Sequence, residues 1–290
     1  MAVCAIAREE ARYLDEWLAY HLLKGVQHFY LRYDPKSQDY PRAMEILGKW
    51  EGLGMVTVEY EDTRGKQGSY YRNVTCEKIQ HEAQWCAYID LDEFMWTADD
   101  KTNNLPALLQ HYGPLVDAIN LDWVFFGSNG QQDYEEGLMV ERFPNHQGLG
   151  YSLQTEVWEI KTILQFNPLV CEKLKEFPSF SAHGVLMLKE PLRRLDGNLQ
   201  VSESVGTGRE AIRDFGLPYF ALCHYNPKSM GEYLQKLSRP SAASGEKNRL
   251  ALAEAFARKD KSESATHSLA AYGPMIRYLL MALNKKGGKS

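Results

Sequence analysis

Two aspartates separated by one residue, Asp90 and Asp92, are the side chains of this sequence best suited to chemistry. They follow an apolar run, Trp85 to Ile89, whose aromatic and β-branched residues predict a buried strand. Alternate side chains of an extended chain share a face, so we expect both carboxylates to reach one hard cation. Diphosphate oxygens would complete the oxygen shell of that cation, an arrangement that suits a sugar nucleotide. The alternative is a solvated turn after a core strand.

Strand and helix patterns alternate along the ninety or so residues that lead to this segment. The predicted strands span 1–7, 26–33 and 56–60, and the predicted helices span 11–23, 41–50 and 69–84. Strand–helix–strand units cross over with a right hand and imply a parallel sheet, which binds ligands at the carboxyl ends of its strands. Asp34, Asp62 and Asp90 all fall at such ends, although a single acid there is usually a turn former.

Beyond Asp92 the alternation weakens. The patterns predict a helix at 105–112, a strand at 118–126, a loop at 127–130, a helix at 135–143 and an amphipathic helix at 270–284. No internal repeat or low-complexity linker divides the chain, so we predict a single α/β domain. Its expected parts are a nucleotide-binding half (1–95), an acceptor-binding and catalytic half (96–240) and C-terminal helices (241–290).

Composition excludes several classes of protein. The 290 residues are 44% hydrophobic and carry a net charge of -5, without the concentrated basic face that a nucleic-acid partner requires. Five scattered cysteines indicate reduced, buried thiols. The sequence contains neither a transmembrane stretch nor a signal-like start, so we expect a cytoplasmic protein or a soluble catalytic fragment of a longer one.

Familiar nucleotide-binding motifs are missing. No Gly-x-Gly-x-x-Gly follows the first strand, and no Gly-Lys-Ser/Thr loop occurs, which disfavours dinucleotide oxidoreductases and P-loop enzymes. A phosphotransferase or phosphatase with Asp-x-Asp usually carries that motif after its first strand, with a Thr soon after, and neither condition holds. A sugar nucleotidyltransferase would need a glycine-rich, basic N-terminal loop, which is also absent.

A series of segments follows a known pattern in order up to about Arg239: Ala5 to Glu10, Tyr13 to His21, Gly25 to Tyr30, Tyr88 to Phe94, Trp123, Phe126 to Gly130, Lys161 to Ile163, His183, His224-Tyr225 and Lys228-Ser229. In these segments the sequence resembles glycosyltransferase family 92 and its bacterial family 2-like relatives. Two places depart from the family pattern. Arg8-Glu9-Glu10 replaces the commoner Lys-Asn-Glu, and Arg239-Pro240 stands where Arg-Gly is usual.

The resemblance implies a GT-A type, Rossmann-like mixed sheet flanked by helices. It also implies a metal-dependent, inverting glycosyltransferase with Mn²⁺ or Mg²⁺ as cofactor. Such an enzyme would move a hexosyl unit from a nucleotide-diphosphate sugar, with a UDP-sugar favoured, to a glycan hydroxyl. Two alternatives stay open: a relative that binds nucleotide or glycan without turnover, and a sugar nucleotidyltransferase.

The donor residues implied by the resemblance fall into two sets. The predicted metal ligands are Asp90, Asp92 and His224, with His183 as the rival histidine. The predicted contacts to the nucleotide are Ala5, Arg8, Asp34, Asp62, Arg72, Asp90 and Lys228. A cation and a lysine together would stabilise the charge that develops on the leaving diphosphate.

The acceptor side implied by the resemblance contains Trp123, Asn129, Gly130 and His183. An inverting reaction needs a base for the acceptor hydroxyl, and Asp133 occupies the expected place, with Glu135, Glu136 and Glu156 as competitors. The terminal helix, with Tyr278 to Met281 on one side, could touch a membrane surface or the second subunit of a homodimer.

Overall fold

The protein is described by a computed structural model over most of its length. The described residues are 1–97, 104–146, 160–176, 192–197, 199–201, 220–238, 254–257, 259–260, 262–263 and 268–287. The strands are β1 (Ala2–Ala7), β2 (His28–Tyr33), β3 (Val56–Tyr60), β4 (Trp85–Tyr88), β5 (Glu93–Thr97), β6 (Ala118–Phe125), β7 (Ile160–Gln165), β8 (Arg194–Leu195) and β9 (Phe220–His224). The helices are α1 (Ala11–Leu23), α2 (Tyr40–Gly52), α3 (Gln67–Val74), α4 (Gln80–Glu82), α5 (Leu105–Tyr112), α6 (Met139–Arg142), α7 (Pro168–Leu174), α8 (Met230–Ser238) and a C-terminal helix (Gly273–Gly287).

The first half of the sheet is parallel, as the alternating patterns predict. β1 pairs with β2 on one side, with Ala5 opposite Leu31, and with β4 on the other side, with Cys4 opposite Tyr88. β3 extends the sheet beyond β2. The chain therefore builds β1, β2 and β3 in one direction and then returns to place β4 on the opposite side of β1. The strand order reverses between β1 and β4, and such a switch point is where open α/β sheets bind ligands.

The remainder of the sheet is mixed. β7 runs antiparallel to both β4 and β6, and the strand order is β3-β2-β1-β4-β7-β6-β9-β5, with β8 beside β6. Helices α1, α2 and α3 pack against strands of this sheet. The predicted α/β class, with a mixed sheet flanked by helices, is confirmed.

A π-helical turn, Thr75–Ile79, joins α3 to α4 ahead of β4. The hydroxyls of Thr75 and Tyr88 are hydrogen-bonded across 2.7 Å in the interior. Tyr71, Ile79 and Tyr88 are all fully buried in one apolar cluster beneath β1 and β4. This packing fixes the position of β4, at whose end the two aspartates follow.

One predicted helix is shorter than expected, and two observed elements were not predicted. The helix predicted at 135–143 is reduced to Met139–Arg142, since Gly137 has a φ of 144° that no helix contains. The strand β5 begins directly after Asp92, so its apolar pattern merges with that of β4 in the sequence. Helix α7 begins at a proline capped by the side chain of Asn167, which accepts a hydrogen bond from Val170 N, and the sequence pattern does not reveal it.

The chain divides into two compact units. The first consists of residues 1–123 with 152–222, and the second of residues 124–151 with 223–290. The functional parts predicted from the sequence, with boundaries at residues 95 and 240, do not coincide with these units and stay predictions. Within the described part of the chain, no helix has both the length and the hydropathy needed to cross a membrane.

Candidate functional site

The carboxyl ends of the parallel strands bring Arg8 and Asp34 together. Asp34 is fully buried after β2 and accepts hydrogen bonds from Lys36 N at 2.9 Å and from Thr63 Oγ1 at 3.1 Å. Arg8 follows β1, and its Nε lies 3.7 Å from Asp34 Oδ2. This Nε is buried and makes no hydrogen bond within the described ranges. Asp34 therefore acts first as a support of the loops beside the switch point.

The loop after β1 is held in a strained conformation. Glu9 has a φ of 55°, which is uncommon for a residue with a side chain. The next two backbone amides, those of Glu10 and Ala11, donate to Tyr33 Oη at 3.1 Å and to Asp39 Oδ2 at 2.8 Å. The loop after β2 thus orders the start of α1, and strain of this kind is often found at functional sites.

The other predicted nucleotide contacts have different surroundings. Asp62 bonds to Arg64 and Lys36 at the surface, and the hydrogen bonds from Arg64 lower the pKa of its carboxyl. Arg72 lies on α3 and donates to the side chain of Asn73 at 3.2 Å. Ala5 is buried inside β1. Lys36 links Asp62 to Asp34, because its N donates to Asp34 at 2.9 Å and its Nζ donates to Asp62 at 3.0 Å.

Residues Asp90 to Glu93 form a tight turn between β4 and β5, which we call the acidic turn. Glu93 N donates to Asp90 O at 3.1 Å, and Asp90 N donates to Glu93 Oε2 at 2.7 Å. Asp92 is buried within the turn, whereas the Asp90 side chain is 35% exposed. The expectation of an extended backbone through both aspartates is wrong, so the argument from alternating side chains does not apply to them.

A buried lysine from β7 contacts the acidic turn. The pairing of Tyr88 with Thr162 places Lys161 beside the end of β4. Lys161 Nζ lies 2.8 Å from Asp90 Oδ2 and 3.6 Å from Glu93 Oε2. Burial lowers the pKa of Lys161, but the carboxylates of Asp90 and Glu93 outweigh this effect and raise it above the ordinary value. The ammonium therefore stays charged and forms an ion pair with Asp90.

Glu93 is the most deeply buried of these acids. It is fully buried, and its Oε1 has no hydrogen-bond partner among the described residues. Burial raises the pKa of its carboxyl well above the usual range, and Asp90 and Asp92 add to this rise while Lys161 opposes it. A buried carboxylate oxygen without a partner is costly, so Glu93 marks a place where further positive charge would stabilise the protein.

The acidic turn suits a divalent cation in charge and in ligand type. Three carboxylates lie within four residues, two of them beside one ammonium, and carboxylate oxygens are the ligands that Mg²⁺ and Mn²⁺ prefer. No group of three or more His, Cys, Asp or Glu side chains is assembled for a metal within the described residues. A cation that carries a diphosphate needs fewer protein ligands, because phosphate oxygens and water fill the rest of its shell.

Trp123, predicted on the acceptor side, lies at the end of the first unit. It is only 5% exposed, and its ring centroid lies 5.9 Å from Lys161 Nζ. That distance is within the range of a cation–π contact. The ring therefore packs beside the lysine of the acidic turn.

In the second unit, the predicted acceptor loop is anchored by residues more than 130 positions away. Ser128 donates from N and Oγ to the carboxylate of Asp260 at 2.6 and 2.9 Å, and Asn129 N donates to Ser262 Oγ at 3.1 Å. Asn129 and Gly130 have positive φ values of 52° and 77°, a backbone conformation that is typical of tight turns. Sequence reasoning missed Asp260 and Ser262, because no local pattern reveals a partner so distant along the chain.

The remaining predicted residues of the second unit lie next to this loop, since Phe126 N donates to His224 O at 2.9 Å and Gly231 N donates to Gln132 O at 2.7 Å. Asp133 is exposed, and its Oδ1 would lie 3.1 Å from a Cβ placed on Gly231 in the first turn of α8. That position suits an acid that stabilises a helix start. His224 ends β9, is 3% exposed and has Asn226 Nδ2 3.3 Å from its Nε2. Lys228 is also buried, with a φ of 51°. His183 and Glu156 lie outside the described residues.

The part of the chain that contains the acidic turn is similar to a known protein family. Residues 1–123 match glycosyltransferase family 92. The predicted resemblance is confirmed over this family 92 region. It includes Arg8, Asp34, Asp90 and Asp92, whereas Lys161 and the whole second unit lie beyond it.

A glycosyltransferase family 92 protein of Oryza sativa subsp. japonica is 27% identical over 133 residues, which are 45% of this chain. The chain spans 22% of the length of that relative. Among solved structures, a mannosyltransferase from Pyrobaculum calidifontis in complex with GDP-Man and Mn²⁺ matches with 19% identity and a TM-score of 0.31, over 41% of this chain and 34% of that one. HddC from Yersinia pseudotuberculosis matches with 14% identity and a TM-score of 0.37, over 67% of this chain and 88% of that one. At these TM-scores the structural likeness supports no inference about this chain.

Proposed function

We propose that this protein is a metal-dependent glycosyltransferase that moves a hexosyl unit from a nucleotide-diphosphate sugar to a glycan hydroxyl with inversion. A UDP-sugar is the favoured donor, and the cytoplasm is the favoured location. The observation that carries the proposal is the acidic turn, which follows β4 beside the switch point of the sheet and lies inside the family 92 region. Carboxylates at that edge of the sheet suit a cation–diphosphate ligand.

In this proposal the first unit binds the donor. Arg8, with a side chain that is 23% exposed, contacts the base, ribose or phosphate, and the buried Asp34 supports it at 3.7 Å. A direct contact of Asp34 with the nucleotide stays a prediction. Asp90 and Asp92 hold Mn²⁺ or Mg²⁺, which supplies positive charge to the leaving diphosphate. The roles predicted for Asp62 and Arg72 at the nucleotide stay predictions.

The same proposal assigns roles to predicted residues later in the chain. Asp133 takes the proton of the acceptor hydroxyl during in-line attack. Asn129 and Gly130 bind the acceptor with the help of their anchored backbone. His224 as a metal ligand and Lys228 as a diphosphate contact stay predictions, as do the acceptor roles of Trp123 and His183.

The decisive experiment measures release of nucleoside diphosphate from a panel of sugar nucleotides, with Mn²⁺ or with chelator, in the presence of glycan acceptors. We expect turnover that needs the cation. Asp92→Asn should reduce it at least about a hundredfold, because stabilisation of the leaving group by a metal is worth several kcal/mol. Glu45→Gln, which removes an exposed carboxylate paired with Lys49 on α2, is the matched control and should stay active. Full activity of folded Asp92→Asn would refute the role of Asp92.

A second candidate function is binding of a nucleotide or glycan without transfer. The ion pair between Lys161 and Asp90 favours it, since one oxygen of a predicted metal ligand is already occupied. Saturable binding of a sugar nucleotide without turnover from any donor or acceptor would support this candidate and exclude the first.

A further inference from the structure

The C-terminal helix, Gly273–Gly287, is anchored to the second unit along one side. Ile276 in its first turn is fully buried, and so is Tyr272, directly before the helix. Arg277 donates to both carboxylate oxygens of Glu141 on α6, at 2.5 and 2.7 Å. These contacts hold the helix in place and determine which of its sides faces away from the unit.

The opposite side of this helix carries large apolar side chains. Met275, Tyr278 and Met281 are 41%, 71% and 56% exposed, and we call them the apolar side of the helix. Residues three positions apart lie on one side of a helix, whereas the buried Ile276, two positions before Tyr278, points almost the other way. These three are a third of the nine large hydrophobic side chains that are exposed among the described residues. Such clustering on one helix indicates an interaction surface.

The charge of the same segment identifies the kind of partner. The chain has 33 Lys and Arg residues against 38 Asp and Glu residues. Residues 264–290 contain none of the acidic residues and four of the basic ones, Arg277, Lys285, Lys286 and Lys289. Lys285 is exposed and lies seven positions after Tyr278, which places it two turns along the same side. An apolar side next to lysines, in a segment without acidic residues, is typical of helices that lie on anionic membrane surfaces.

We propose that the C-terminal helix docks the protein on an anionic lipid surface, with its apolar side at the acyl boundary and its lysines paired with lipid phosphates. A second copy of the chain suits this side less well, because neither of two paired helices would offer a carboxylate side chain to the lysines of the other. Lipid phosphates supply that negative charge, and the apolar side chains gain from leaving water. The docking is independent of the proposed transfer reaction, in which no residue of this helix has a role.

Cosedimentation of the full chain with lipid vesicles tests the charge contribution. We expect binding to vesicles of phosphatidylcholine with phosphatidylglycerol, at least about tenfold weaker binding to phosphatidylcholine alone, and dissociation as salt screens the attraction. The double variant Lys285→Gln/Lys286→Gln should weaken binding to the mixed vesicles at least about tenfold, since each basic residue near such a surface changes the affinity about fivefold. Lys49→Gln, at an exposed lysine of α2, is the matched control and should bind like the wild type.

A second pair of variants tests the apolar contribution. Tyr278→Ser/Met281→Ser removes apolar area at two exposed positions and should weaken binding to the mixed vesicles at least about tenfold, because less apolar surface then leaves water on docking. Leu115→Ser, at an exposed leucine of the first unit, is the matched control and should bind like the wild type. Tyr278→Trp keeps an aromatic ring there, and vesicles with brominated acyl chains should quench its fluorescence more than that of the wild type.

Three results would overturn the docking. They are a wild type that does not bind the mixed vesicles, unchanged binding by either double variant in folded form, and wild-type dimers in sedimentation that Tyr278→Ser/Met281→Ser dissociates. The last result would show that the apolar side of the helix covers a second copy of the chain. Vesicle binding without any sugar transfer would support the docking and contradict only the proposed function.

Discussion

A buried histidine of the first unit has both of its ring nitrogens engaged by backbone groups. His21 on α1 is 0% exposed, and its Nδ1 lies 2.9 Å from the carbonyl oxygen of Trp17 while Met95 N donates to its Nε2 at 3.3 Å. A carbonyl can only accept and an amide N–H can only donate, so the ring is neutral with its proton on Nδ1. Burial lowers the pKa of His21 to about 3.

This neutral histidine predicts a loss of stability in acid. Between pH 6.5 and about 3 the unfolded chain protonates His21 while the folded chain does not. The free energy of unfolding therefore falls by up to about 1.4 kcal/mol for each unit of pH lost in this window. Urea unfolding of the wild type and of His21→Gln between pH 6.5 and 5 should show a smaller slope in the variant.

The control for that experiment is His81→Gln, which changes an exposed histidine of the same unit. It should keep the pH slope of the wild type. An identical slope in wild type and His21→Gln would show that the ring is protonated within the fold.

At the level of the site, the sequence identifies the acids and not their partners. Asp90 and Asp92 are apparent from one short segment, because a strand pattern and the carboxylates are adjacent. Lys161 and Asp260 act through tertiary pairing, 71 residues from Asp90 and 132 residues from Ser128. No local spacing can show such a contact, so the ion pair that occupies Asp90 and the anchor of the acceptor loop appear only in the structure.

Among the elements, the turn between α1 and β2 depends on Gly25. Its φ is +92°, and a Cβ at this position would lie 2.9 Å from Pro106 Cδ. The same turn contacts the start of α5, where Leu105 N donates to Lys24 O at 2.9 Å. The position therefore requires a residue without a side chain for two independent reasons, backbone conformation and space.

Gly25→Ala should lower the free energy of unfolding by about 1–3 kcal/mol, as expected for a residue forced into a sparsely populated conformation. Gly48→Ala is the same substitution in the interior of α2, where a Cβ would meet nothing within 4 Å. It should raise the free energy of unfolding by about 0.5–1 kcal/mol, because alanine favours a helix over glycine. Chemical denaturation compares the two, and effects of the same sign would contradict this account.

Elements that depend on local pattern were predicted well, and those that depend on partners were not. Helix α1 and strand β3 have the predicted bounds, since each has its own apolar period and end signal. The antiparallel insertion of β7 between β4 and β6 was not predicted, because an apolar run does not specify its neighbour. The helix predicted at 135–143 ends up short because a glycine interrupts it.

For the whole molecule, binding of the donor nucleotide should appear as added stability. A ligand at a hundred times its Kd stabilises by about 2.7 kcal/mol, which raises the melting temperature of a chain of this size by about 4 °C. We expect UDP with Mn²⁺ to give the largest shift in a panel of nucleoside diphosphates. Chelator should remove it, and Asp92→Asn should not show it. A rise in melting temperature that persists in chelator would show that the nucleotide binds without a metal.

The π-helical turn Thr75–Ile79 has a consequence for the spacing of residues on either side of it. Ile79 lies eight positions after Tyr71 in the sequence, and both residues are fully buried in the same cluster. In a regular α-helix they would point about 80° apart, but a turn that takes in one additional residue reduces the angle to about 20°. Deleting one residue from this turn would leave seven steps of ordinary winding, which also place the two side chains about 20° apart, so the turn absorbs one additional residue without changing which face is buried. The π-helical turn thus keeps the apolar faces on its two sides directed into one cluster.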